Sequence, residues 1–277
     1  MNPLPSPPRE SLEAYLSLSL QRPGRSRLFA DGFENYGTTL GTIGNCTTPL
    51  MFEDSSIEEE FYGIAGTCFL AQYRDRLFAI TAKHCLAQEN GNDVRLALNQ
   101  ETRSFLPLKN LHRAVSNPPN QDFADIAVFE AAPELLEAEA RKSLRALTLD
   151  HFHVTSMKIK ANAKLVVPGF PKFLNAVDYD RFVIHTQRYL SGGSYRGQTD
   201  RSGIHNMEFD ELEQIDWPDG MSGSPVFFVE RHPEAHFFGL LGLLIKAERY
   251  GKKAEFIGAD VLFRLLDKIL ATNPKQH

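Results

Sequence analysis

Cysteine is scarce in this 277-residue chain: Cys46, Cys68 and Cys85 are the only three. An odd and small number fits a reducing compartment better than a disulfide scaffold, and without a close pair no structural zinc site is expected. Long apolar runs are missing too. Nowhere do about 18 apolar residues follow one another, which excludes a membrane-spanning helix, and Met1-Asn2-Pro3-Leu4-Pro5-Ser6-Pro7-Pro8-Arg9-Glu10 holds no apolar run of secretory-signal length. A cytoplasmic chain with no membrane partner is the expectation. Nor is there an excess of positive charge: 30 basic against 35 acidic residues give a net charge of −5 and a pI near 6.0. No global positive field recruits nucleic acid. No internal repeat is found, and nothing calls for a cofactor or a metal.

What the chain does have is three short stretches that carry chemistry. Asp219-Gly220-Met221-Ser222-Gly223-Ser224-Pro225-Val226-Phe227 runs a glycine-flanked serine into an apolar strand. Such a serine can sit on a tight turn with an exposed hydroxyl and unencumbered amides, as a nucleophile beside an oxyanion hole requires; an ordinary β-turn is the bland alternative. Upstream, Ala79-Ile80-Thr81-Ala82-Lys83-His84-Cys85 and Asp122-Phe123-Ala124-Asp125-Ile126-Ala127-Val128 each set a titratable group beside an apolar strand. Serine is a poor nucleophile at neutral pH, so Ser222 needs a base, and His84 is the candidate. Asp125 directly precedes its strand and would hold the imidazole; Asp122 is its neighbour in the loop. The order His84, Asp125, Ser222 is not that of an α/β-hydrolase, which wants a second glycine where Ser224 stands and an acid and a histidine downstream.

Together, Thr81-Ala82-Lys83-His84-Cys85, Asp125-Ile126-Ala127-Val128 and Gly220-Met221-Ser222-Gly223-Ser224-Pro225 resemble the three signatures of the chymotrypsin/trypsin-like serine protease family. They are most similar to those of its bacterial, glutamyl-endopeptidase-like and HtrA-like members, and the resemblance runs from about Phe61 to the C-terminus. It implies an all-β fold of two antiparallel six-stranded β-barrels with a C-terminal helix and an N-terminal extension. It also implies a hydrolase that cuts peptide bonds through an acyl-enzyme on Ser222, with His84 as base, Asp125 as its orienter, and the amides of Gly220 and Ser222 as oxyanion hole. Cys68 and Cys85 would lie on neighbouring segments of the first barrel, where buried thiols are favoured over a bridge.

Specificity is less legible. Asp216 stands where trypsins keep the acid that selects Lys or Arg, although Trp217-Pro218-Asp219 makes an unfamiliar loop. Leu244 and Ile245, on the wall strand of the cleft, complete the implied substrate pocket. Glutamyl endopeptidases carry a histidine at the place of Leu244, so glutamate specificity is not supported. Trypsin-like zymogens carry an aspartate at the place of Met221, where it pairs with a freshly cut N-terminus. With methionine there, activation by N-terminal cleavage is not expected, and a regulatory protein partner besides the peptide or protein substrate is.

The chain divides into an N-terminal extension (1–60, partly disordered), a first barrel with His84 and Asp125 (61–150), and a second barrel with Ser222 plus the terminal helix (151–277). Ser11 is expected to cap a short helix over Leu12, Tyr15 and Leu16, although Leu16, Leu18 and Leu20 also alternate like a strand. Strand, turn and strand follow at 63–70, Tyr73-Arg74-Asp75-Arg76 and 77–81. Further on come a helix over 134–145, strands at 164–171 and 181–186, a mobile polar loop at 191–197, the wall strand at 237–245, a strand at 256–258, and an amphipathic helix over 260–270. His151 and His153 share a strand face without a third metal ligand, and His185 and His205 read as ordinary strand and loop residues. Two other functions stay open: a protease-fold binding module with a latent site, and an esterase or acyltransferase on the same fold.

Overall fold

Residues 61–82 form the hairpin that the alternation predicts. β2 (Phe61–Tyr73) and β3 (Arg76–Ala82) pair antiparallel, Phe69 opposite Ile80 and Tyr73 opposite Arg76. Arg74 and Asp75 between them have φ of 45° and 62°, the left-handed pair of a two-residue turn whose twist matches that of the strands. The structure is a computed structural model that describes residues 43–54, 61–86, 91–99, 104–114, 124–149, 159–181, 183–210, 218–232, 235–248 and 252–272. The expected helix at 11–20 lies outside these.

Around the hairpin the first sheet runs in the order β4-β1-β2-β3-β6-β5, with β7 (Leu147–Thr148) parallel to β2. β1 is Thr47–Asp54, β4 Val94–Leu96, β5 Leu108–Arg113 and β6 Ile126–Ala131. The sheet therefore starts at Thr47, ahead of the expected boundary at 61. A bulge between Leu50 and Met51 turns both side chains inward, Leu50 into the main core and Met51 into a small cluster with Tyr62 and Ile184. Two adjacent buried residues break strand alternation, so this strand was hard to read.

The first unit departs from a regular six-stranded barrel. Among the described residues, its end strands β4 and β5 are joined by an isolated Ala97–Phe105 bridge, flanked by the Leu106 N–H donating to the Leu96 carbonyl at 2.9 Å and the Leu98 N–H to the Ser104 carbonyl at 2.8 Å. Pro107 separates that bridge from β5, and its carbonyl turns the other way, accepting the Ala132 N–H at 2.9 Å. Between the two halves, the helix expected over 134–145 shrinks to α1 (Ala138–Ser143) behind a separate 3₁₀ turn, Pro133–Leu135.

The second unit is the closed six-stranded barrel that was expected, β11-β12-β15-β14-β13-β8. Its strands are β8 (Lys164–Gly169), β11 (Tyr189–Gln198), β12 (Ile204–Phe209), β13 (Pro225–His232), β14 (Ala235–Ala247) and β15 (Lys253–Gly258); the hairpin of β9 (Ala176–Asp178) and β10 (Val183–His185) lies apart. Residues 191–197 are a correction: they form the body of β11 rather than a mobile loop. Alternate residues feed two cores. Leu165, Val167, Val226 and Phe228 fill the barrel, while Val166 and Phe227 join a larger core shared with the first sheet. That shared core extends to α2 (Ala259–Thr272), whose Leu262, Leu266 and Ile269 are buried at helical spacing. Tyr73 Oη also donates to Asp267 Oδ1 at 2.9 Å, so α2 reaches the tip of the first-sheet hairpin.

Candidate active site

The register of β3 against β6 brings His84 and Asp125 together. Ala82 faces Ile126, so the 3₁₀ turn Lys83–Cys85 that continues β3 lies against the residue that opens β6. The His84 N–H donates to Asp125 Oδ1 at 2.9 Å, and Nδ1 meets Oδ2 at 2.6 Å. One carboxylate thus fixes both the backbone and the ring. With Nδ1–H committed to it, the neutral imidazole keeps its lone pair on Nε2. The Asp125 hydrogen bond, and after it Cys85, raise the pKa of His84 above its ordinary 6.5, while partial burial opposes them. The imidazole remains about half exposed, at 48%.

Ser222 arrives from the second barrel on a turn that only glycine can make. Gly220 and Gly223 have φ of +93° and +88°; a Cβ would lie 2.5 Å from the Phe170 carbonyl at the first and 2.0 Å from the Thr67 carbonyl at the second. The turn is held from both sides. Its Met221 N–H donates to Pro218, its Gly223 N–H to Leu244 and its Ser224 N–H to Met221. Among the described residues, the N–H groups of Gly220 and Ser222 have no protein acceptor. Two amides, with Met221 between them, are thereby open to a ligand oxygen.

Contacts across the seam set where Ser222 sits. Its carbonyl accepts the Thr67 N–H at 2.8 Å and lies 3.7 Å from Cys85 Sγ, next in sequence to His84. Gly66 leaves room for that approach, since a Cβ there would lie 2.7 Å from the sulfur. Among the described residues, however, no hydrogen bond joins the His84 ring to the Ser222 hydroxyl.

One residue of this assembly went unread in the sequence. Thr67, fully buried on β2, donates through Oγ1 to the Gly220 carbonyl at 2.8 Å and accepts the Phe170 N–H at 2.9 Å. Its own carbonyl accepts from Thr81 Oγ1 at 2.8 Å. A threonine in an apolar strand reads only as a good strand former, and its partners are far away in the chain.

The implied pocket residues fare differently. Asp216 lies outside the described residues, as do Asp122, His151 and His153. Leu244 packs in the second-barrel core and Ile245 in the shared core, both buried. Met221 is buried against Gly169, where a Cβ would come within 2.6 Å of its sulfur. His185 is exposed, 3.8 Å from Asp178, and His205 is stacked on Phe256 with Nδ1 2.9 Å from Tyr195 Oη. Cys46, Cys68 and Cys85 are free, buried thiols; burial pushes Cys46 up to about 12 and raises Cys68 as well.

No protein-family model matches this sequence, and no curated protein sequence does. Among solved structures, that of a thermostable serine protease, AL20, from an extremophilic microorganism superposes with a TM-score of 0.52 at 11% identity, covering 83% of this chain and 99% of that one. At that identity the likeness speaks for the fold: a curled first sheet, a closed second barrel and a terminal helix, in the arrangement of a serine protease of the trypsin-like double-barrel type.

Proposed function

We propose that this chain is a serine endopeptidase in which Ser222 is the nucleophile, His84 the general base and Asp125 the group that orients it. The observation that carries this is the 2.6 Å contact between His84 Nδ1 and Asp125, together with a serine turn whose Gly220 and Ser222 amides have no acceptor among the described residues. Ser222 Oγ attacks the scissile carbonyl as Nε2 takes its proton, and the carbonyl oxygen, now anionic, accepts the N–H groups of Gly220 and Ser222. Each such donor is worth about 3 kcal/mol of transition-state stabilisation. His84 then returns the proton to the leaving amine as the C–N bond breaks, and water releases the acyl group by the same steps.

Motif wording supports a place near the bacterial glutamyl-endopeptidase-like and HtrA-like enzymes. Three unpaired thiols support a cytoplasmic setting, and the methionine at 221 supports control by a protein partner rather than by N-terminal cleavage. Labelling with a fluorophosphonate probe and profiling against a peptide library, each with Ser222→Ala as control, tests the proposal. Labelling and peptide cleavage that both vanish in the variant are expected.

A second reading, a protease-fold binding module with a latent site, draws on the missing His84–Ser222 hydrogen bond. Such bonds are often long without substrate and tighten on binding. Failure of the probe to label would favour the latent module, and labelling without peptide turnover would favour an esterase or acyltransferase.

A further inference from the structure

A cavity of about 220 Å³ opens at the seam between the first sheet and the second barrel, and among the described residues none that lines it is Asp or Glu. It does contain two arginines, Arg188 and Arg145. In a chain with more acids than bases, that is an unusual enclosure.

Arg188 precedes β11 and is half-buried, its guanidinium 5.5 Å from the centre of the Phe170 ring. Nε donates to Thr47 Oγ1 at 3.0 Å, Nη1 to Asn45 Oδ1 at 3.3 Å and Nη2 to the Thr47 carbonyl at 3.4 Å. Every one of these acceptors is neutral, and among the described residues no carboxylate pairs with the cation. A guanidinium carries five N–H donors, so two remain. Burial lowers its pKa, as expected of a cation taken from water without a counter-ion. Arg145 donates through Nη1 to the carbonyls of Lys142 and Leu144 in its own turn, and among the described residues the rest of its fork has no acceptor. Leu96 and Leu106 supply an apolar wall.

We propose that this cavity binds an anionic group, a carboxylate or a phosphate, with Arg188 and Arg145 as its cationic partners. The shared chemistry is an oxyanion presented to two planar forks, the arrangement that guanidinium groups recognise in pairs of hydrogen bonds. The site is independent of the peptidase proposal, since it uses none of His84, Asp125 or Ser222.

Thermal unfolding of the full chain, titrated with inorganic phosphate or with hexanoate against sodium chloride at equal ionic strength, tests it. A rise in Tm above the sodium chloride control, growing with the logarithm of concentration, is expected with at least one anion, and the concentration that gives a fixed rise is expected to be at least about tenfold higher in Arg188→Met or Arg145→Met. Arg145 makes its hydrogen bonds within its own turn, so that variant stays readable if Arg188→Met fails to fold. A rise with phosphate alone assigns the phosphate source, and the same rise at a lower concentration of hexanoate assigns a carboxylate on an apolar body. No rise above the control with either anion, or rises that persist unchanged in the variants that fold, overturns the proposal.

Discussion

Thr67 uses its hydroxyl both ways, donating to the Gly220 carbonyl of the serine turn and accepting the Phe170 N–H at the end of β8. Replacing it with valine keeps the shape of the side chain and strands both partners, each a loss of about 1–3 kcal/mol. Because the Gly220 carbonyl belongs to the turn that presents the free amides, Thr67→Val is expected to lower kcat by about tenfold or more with a smaller change in KM, and Thr67→Ser to restore most of it. Steady-state kinetics with Tm measured alongside checks this; equal losses in Val and Ser variants would reduce Thr67 to packing.

His84 gives a second expectation at this scale. A base must be neutral to accept a proton, and a raised pKa keeps the imidazole charged to higher pH. The rising limb of kcat/KM is therefore expected to have its midpoint on the alkaline side of 6.5, and an NMR titration of the His84 ring to report the same direction, reversed in Asp125→Asn. A midpoint at or below 6.5 contradicts the Asp125 contact. The His84–Asp125 pair, which the structure brings together, was expected from the resemblance of the motifs that carry them. Thr67 was not, since its role depends on Gly220, 153 residues away.

The elements show the same division. α2 was readable because Leu262, Leu266 and Ile269 repeat at a helical period on one face. β11 was misread, because Ser191-Gly192-Gly193-Ser194 has the composition of a loop. What makes it a strand is pairing on both sides, Gly193 opposite Leu165 of β8 and Phe209 of β12. Glycine there also permits close approach, since a Cβ would lie 2.8 Å from the Met207 methyl. For α2 the shared core sets the cost of damage: Leu266→Ala is expected to destabilise by about 2–5 kcal/mol in urea unfolding. A loss below about 1 kcal/mol would mean that the helix is not part of that core.

At the scale of the molecule, the candidate site is divided between units that meet across one continuous core. The first sheet supplies His84 and Asp125, the second barrel supplies the serine turn, and Thr67 and Cys85 touch that turn across the seam. A two-barrel plan was what the resemblance carried by the three motifs implied, and the fold agrees. The break between β4 and β5 was not readable, because it depends on pairing between segments that the local residue pattern does not encode. The most direct test is a crystal structure of the chain after reaction with a fluorophosphonate. A covalent bond from Ser222 Oγ, a phosphonyl oxygen within about 3.1 Å of the Gly220 and Ser222 nitrogens, and His84 Nε2 turned toward Oγ are expected. An adduct on another residue, or one whose oxygen reaches neither amide while the imidazole stays out of reach, would contradict it.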